Sequence, residues 1–360
     1  MYSFSAHCLI LMGKQKNNFK YCICSALLMM FCTHTSLAQD NPDAEDYETA
    51  KYTQQGRPQM SISRLQEGWL ISSYMVGADG KIDDFVILDS SGLAVFENEV
   101  RHSMDDAVFA PAKLNGEPVA SAFRQQHILA SGGMVGSPDF AKDFNAFSNA
   151  LNEEEFDTAS AILERMGQRR IRGNYEFALL SLGRFQLGLE QEMPLSEQII
   201  HLYRSLAYTG NVVETHNDYF LPNDVRLGAQ QSLLQLLLQT NRFTEAIGLF
   251  AIIKDDLPSD VSERFVDVFE RVEGIQNSDQ VYAVNGQLSE TGAWLLPLFK
   301  RGFGITEGHE FMERAQLRCG VGSYNVALSP DADYQVPESA RDCALLMQGE
   351  PGAKISLVQF

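Results

Sequence analysis

Two apolar runs of strand length, residues 69–76 and 82–88, flank the dipeptide Asp79-Gly80. In the first, Trp69, Ile71, Ser73 and Met75 alternate with Leu70, Ser72, Tyr74 and Val76. Both runs are rich in β-formers, and Gly80 supplies the positive φ that a tight hairpin turn requires. Val95, Phe96, Val100, Met104, Ala107 and Val108 then recur at helical spacing, which gives one apolar face for a sheet to bury. Asn115-Gly116 is a second turn signal, and residues 119–129 can return as a third strand. The pattern predicts a small three-stranded antiparallel sheet packed on one helix.

The period changes beyond Leu129. Residues 131–138 are Gly-rich and aperiodic, and read as a linker. From 139 to 274 the spacing is helical: Phe140, Phe144, Phe147 and Leu151 lead through Asn152-Glu153-Glu154-Glu155 into Phe156, Ala159, Ile162 and Leu163. Leu233, Leu234, Leu237 and Leu238 lead in the same order through Gln239-Thr240-Asn241-Arg242 into Phe243, Ala246, Ile247 and Phe250. Residues 175–189 and 195–208 supply two more helices, and Pro258 starts the last. Over 279–360 short β-like runs (281–284, 294–299, 311–319, 324–328, 343–348 and 353–360) alternate with turn residues. The expected fold class is multidomain α+β: a small sheet with a helix, a helical hairpin array, then a small all-β sandwich or barrel.

The hairpin carries more than a period. Residues 68–92, Phe96, Phe109-Ala110-Pro111-Ala112 and Asn115-Gly116-Glu117-Pro118-Val119 occur in the order found in TonB-type energy transducers. Residues 57–130 resemble the C-terminal domain of that family. The resemblance implies an envelope protein that accepts an extended peptide, the TonB box of an outer-membrane receptor, as an added strand on the third-strand edge. On this chain the candidate edge is 119–129, with Phe123, Gln125 and His127 on one face and Arg124 and Gln126 on the other. Two readings of the edge stand: it is open to a peptide, or it is covered by the helical block or a second copy, because a bare edge invites aggregation. The helical block is loosely similar to tetratricopeptide repeats, although the 34-residue period is not met. Such an array would bind a peptide or protein, or serve as a spacer between two β domains.

The chain also departs from the family. Residues 39–56 are acidic rather than Pro-rich and are expected to be a short flexible segment; Arg57-Pro58 stands where the family has Tyr-Pro, and the usually basic helix end reads His102-Ser103-Met104-Asp105-Asp106. Lys14, Lys16 and Lys20 precede an apolar run from Tyr21 to Cys32, and Ser36-Leu37-Ala38 suits signal peptidase. Residues 1–38 are therefore expected to be a signal peptide cleaved between Ala38 and Gln39, with a retained anchor as the alternative. Its loss removes three lysines and no acids, so the net charge moves from −19 to −22. That charge argues against nucleic acid and anionic lipid as partners.

Of six cysteines, Cys319 and Cys343 lie outside the leader. In an oxidising compartment the pair reads as a disulfide; a redox pair would need Cys-x-x-Cys spacing. No nucleophile elbow, Walker loop or His-Glu-x-x-His is present, and Gly302-x-Gly304-x-x-x-Gly308 reads as turn glycines. Asp83-Asp84 and Glu153-Glu154-Glu155 read as solvated faces. His102, His127, His201, His216 and His309 are scattered. No catalytic residue, cofactor or metal is expected. The expected function is a periplasmic, non-enzymatic adaptor with protein or peptide partners in the envelope, outer-membrane receptors and a second copy among them. The alternatives are a divergent transducer anchored in the inner membrane and an unrecognised periplasmic hydrolase.

Overall fold

The structure is a computed structural model that describes residues 46–54, 67–130, 136–169, 171, 173–207, 220–330 and 332–360. The leader with its Ala38-Gln39 junction, Arg57-Pro58, His216 and residues 131–135 of the linker lie outside the described residues.

The stretch expected to be flexible carries two short strands, β1 (Tyr47–Glu48) and β2 (Lys51–Gln54). The acids of this stretch are concentrated ahead of Tyr47, while Tyr47, Ala50 and Tyr52 offer apolar surface to the core. The predicted hairpin forms as β3 (Gly68–Val76) and β4 (Ile82–Ser90), with helix α1 (Ala94–Asp105) behind it. Gly80 lies at φ +77°, and a Cβ there would sit 2.1 Å from the Phe109 carbonyl oxygen, so only glycine fits this turn. Three short strands follow: β5 (Val108–Ala110), β6 (Ala112–Leu114) and β7 (Glu117–Val119). β2 pairs with β5 and β1 with β6. β8 (Ser121–Leu129) lies beside β3 in unbroken antiparallel register, Gly68 opposite Leu129 through to Val76 opposite Ser121, giving the order β4-β3-β8.

Phe96, Val100 and Met104 of α1 pack on Leu70, Tyr74 and Val76, with Phe109, Ala50 and Tyr52 completing the core. The opposite face of β3 is buried as well. All nine β3 residues are buried, which differs from a sheet packed on one helix only. The ring of Trp69 meets Phe177 of the helical block edge-on.

The helical block comprises α2 (Pro138–Asn152), α3 (Phe156–Gly167), α4 (Asn174–Glu190), α5 (Leu195–Leu206), α6 (Asn223–Gln239), α7 (Phe243–Ile253) and α8 (Ser259–Gln276). Ser137 caps α2 by accepting from Phe140 N, with Pro138 behind it. The two similar sequence passages make the same turn. Glu155 N donates to Ala150 O and Glu154 N to Leu151 O, just as Arg242 N donates to Leu237 O and Asn241 N to Leu238 O. Glu154 and Asn241 occupy the left-handed position at φ 60° and 57°. Ala159 and Ala246, three residues into each second helix, have no exposed surface.

The C-terminal strands are β9 (Tyr282–Gln287), β10 (Ala293–Pro297), β11 (Gly302–Glu307), β12 (Met312–Arg318), β13 (Ser323–Val326), β14 (Asp333–Gln335), β15 (Ala344–Gly349) and β16 (Lys354–Gln359). They form two four-stranded sheets, β10-β15-β12-β13 and β14-β11-β16-β9. Gly302 and Gly304 are strand residues rather than turn residues. At Gly302 a Cβ would lie 2.4 Å from the Phe360 ring, so glycine here admits a side chain onto the strand. A disulfide joins Cys319, at the end of β12, to Cys343, at the start of the neighbouring β15. Residues 47–360 constitute one compact unit.

Candidate peptide-docking edge

β8 is an outer strand of its three-stranded sheet, and the five residues singled out in the sequence lie along it. Phe123 stacks on Tyr74 with ring centroids 5.7 Å apart and meets Phe109 edge-on. Gln125 accepts hydrogen bonds through Oε1 from Tyr52 and from Tyr74, the latter at 2.8 Å. His127 Nε2 lies 3.2 Å from Ser72 Oγ. Burial drives the His127 pKa down to about 4, so the ring is neutral at pH 7. These three side chains therefore belong to the α1 side of the sheet. Gln126 faces the other way and donates from Nε2 to Ala207 O at 2.6 Å, at the end of α5. Arg124 shares that face. What the strand presents sideways is backbone.

The direction of that backbone follows from its bonds. Ala122 N donates to Cys319 O at 2.8 Å, away from β3. Alternation along an antiparallel pair then turns the N–H and C=O groups of Gln126 and Ile128 to the outer side as well. Ala120 O accepts from Gly322 N at 2.7 Å, so the start of the edge is bonded to the turn after β12. At the far end Asn174 Nδ2 donates to Leu129 O at 3.2 Å, and Asn174 N donates to Glu67 Oε2 at 2.9 Å.

The opposite edge, β4, meets the same sandwich. Ser289 Oγ donates to Leu88 O at 2.6 Å, and Thr291 Oγ1 donates to Ile87 O at 3.0 Å and to Leu88 O at 2.9 Å. Beside them Arg204 of α5 holds Asp89 with two hydrogen bonds, at 2.9 and 2.8 Å, and donates to Glu290 at 2.5 Å. Hydrogen bonding to Arg204 outweighs burial and keeps the Glu290 carboxyl below its ordinary value. Close by, burial and the charges of Arg184 and Arg204 depress His201 to about 4.

Sequence reasoning missed the cluster on the outer face of β3. Arg318 is 1% exposed; its Nη1 donates to Ser73 Oγ at 2.8 Å, its Nη2 to Asp84 O at 2.9 Å and its Nε to Gln316 Oε1 at 2.8 Å. Its Nη2 also lies 2.9 Å from Asp84 Oδ2, and Arg314 hydrogen-bonds both oxygens of that carboxylate. Asp84 is thus a paired group and not a solvated face. Burial alone would raise its carboxyl, but the hydrogen bonds and charges of Arg314 and Arg318 hold it below the ordinary value. The available signal was Arg318 beside a cysteine at the end of an apolar strand, where a charge demands a partner. A polar cleft of about 410 Å³ adjoins, lined in part by Asp83, Asp84, Arg314 and Asn325.

Among the described residues the histidines stay scattered: His127 lies beside Ser72, His201 near Arg184 and Arg204, and His309 Nδ1 stands 3.4 Å from Glu310 Oε2. Residues 57–128 match the family described as the Gram-negative bacterial TonB protein C-terminal. A search of the curated proteins finds no match to the chain. The segment that folds as β3, β4, α1 and β8 is therefore a TonB-type C-terminal domain, of a kind that interacts with proteins such as outer-membrane receptors.

Proposed function

We propose that this protein is a non-enzymatic adaptor of the periplasm, exported with its leader removed, in which the TonB-type domain accepts an extended segment of an envelope protein along β8. The observation that carries the reading is the position of β8 at the rim of its sheet, with the backbone of Gln126 and Ile128 directed outward. Strand addition needs only those main-chain groups, so inward-turned side chains do not prevent it. A non-enzymatic role is supported by the way the buried charges are used: Arg204, Arg242 and Arg318 are each held by carboxylates at seams between blocks.

A photo-crosslinking amino acid at position 128 of the chain in its native envelope tests the proposal. Capture of an envelope protein that is lost in a chain also carrying Gln126→Pro is expected, because proline removes an outward N–H and leaves the β3 ladder in place. Absence of any capture, or capture indifferent to the proline, would sink it. Amino-terminal sequencing of the native protein decides between a cleaved chain beginning at Gln39 and a retained anchor, which would make it an inner-membrane transducer.

A further inference from the structure

The β8 edge is already occupied at one end by the chain itself. In a hairpin, facing residues such as Cys319 and Gly322 exchange two backbone hydrogen bonds. Cys319 N does donate to Gly322 O, at 3.0 Å. The reciprocal groups, Gly322 N and Cys319 O, are instead turned to Ala120 O, just ahead of β8, and Ala122 N of β8. These are the contacts that an added strand would make at this position.

The turn is seated from three sides. Gly320 N donates to Arg341 O at 2.7 Å, Tyr47 Oη donates to Gly320 O at 2.8 Å, and the disulfide ties Cys319 to Cys343. A Cβ on Gly320 would stand 3.0 Å from Tyr47 Oη and 3.3 Å from Arg341 O, and Gly322 lies at φ +78°. Glycine at 320 lets the turn sit close against Tyr47 and Arg341, and glycine at 322 adopts the left-handed φ without strain. Tyr47 joins in from β1, whose partner β6 precedes β8 by a few residues, so both sides of the contact are held by short connections.

We propose that the Cys319–Gly322 turn is an internal occupant of the peptide-accepting edge, which an incoming segment must displace from Ala120 and Ala122 to pair with the whole of β8. The identity of β8 as a docking strand rests on the adaptor reading above; the occupancy rests on the chain's own contacts. The disulfide sets the strength of the competition by limiting how far Cys319 can retreat, so the oxidised chain accepts a short segment near Gln126–Ile128 and the chain without the bridge accepts a longer one.

Backbone amide exchange followed by NMR on the mature full-length protein tests this, comparing the oxidised wild type with a Cys319→Ser/Cys343→Ser double variant and with Tyr47→Phe. Exchange at Ala122 and Gly322 is expected to rise at least tenfold in the double variant and severalfold in Tyr47→Phe, with Phe123 and Gln125, which bond β3, still protected. Crosslinked capture through position 128 should also rise severalfold in the double variant. Unchanged exchange at Ala122, or an equal rise at Phe123 and Gln125, overturns the occupancy even where capture persists. No capture by either chain overturns the adaptor reading instead, and with it displacement by a peptide. The Tyr47→Phe chain keeps the disulfide, so a misfolded double variant does not leave the proposal without a readout.

Discussion

Arg318 carries a full charge at 1% exposure; three of its contacts go to Ser73 and Asp84 of the TonB-type sheet and a fourth to Gln316 of its own strand. Removing it leaves Ser73 Oγ and the Asp84 carbonyl without their donor and takes from the Asp84 carboxylate one of its two guanidinium partners, Arg314 remaining. Arg318→Met should cost about 1–3 kcal/mol of stability, the range for leaving buried hydrogen-bonding groups without a partner, as a shift in the urea midpoint. Two half-buried histidines give a pH signature. His127 and His201 sit near pKa 4 in the folded chain, against about 6.5 unfolded. Between those values the unfolded chain binds protons that the folded chain refuses. Stability is therefore complete above pH 6.5 and falls as the pH drops towards 4. Asp84 behaves likewise lower down, contributing above the ordinary carboxylate value and losing that contribution as the pH falls through its depressed one. Calorimetry at pH 7 and pH 5 should show a lower midpoint at pH 5, and the difference should shrink in His127→Gln and His201→Gln.

At the level of elements, the two helical hairpins were legible because an aromatic followed three residues later by alanine survives in both, and each alanine is completely enclosed. Their turns show where the first copy is less well adapted. Glu154 occupies the left-handed site that Asn241 occupies in the second copy. Glu154→Gly should raise stability by about 1 kcal/mol, because glycine carries no Cβ penalty there; a thermal melt that moves down would contradict this. Strands of two to four residues, such as β1 and β2, fall below the length at which alternation can be read. Gly302 of β11 misled for a related reason: its role is close approach by Phe360, which local sequence does not record. Burial of both faces of β3 was present in its apolar residues, Trp69, Ile71 and Met75 on one face and Leu70, Tyr74 and Val76 on the other, but Ser72 and Ser73 gave it the look of a one-sided strand. Each serine instead answers a polar partner, His127 on one face and Arg318 on the other.

For the whole molecule, the family match and the folding unit have different limits. The match starts at residue 57, yet Ala50 and Tyr52 lie in the core of the matched domain, and the outer face of β3 is closed by the other blocks. An excised 57–130 fragment would expose Trp69, Ile71 and Met75 together. It should fail to give a dispersed amide spectrum or should aggregate, whereas the full chain from residue 39 onward should unfold in one transition. A soluble, well-folded fragment would contradict the two-sided packing. The family resemblance could be read from turns and landmarks because those are local. What encloses the domain could not, since Cys319, Thr291 and Phe177 reach their partners in it from about 100 to 200 residues away along the chain.

The chain has two tryptophans. Trp69 lies against Phe177 where the TonB-type sheet meets the helices, and Trp294 of β10 lies under the Arg242 guanidinium where the helices meet the sandwich. Each indole thus marks one of the two seams, and both are buried. Intrinsic fluorescence is consequently an optical gauge of whether the blocks stay together. Replacing either tryptophan by phenylalanine isolates one seam, and a red shift ahead of any loss of helical circular dichroism would time the parting of the blocks.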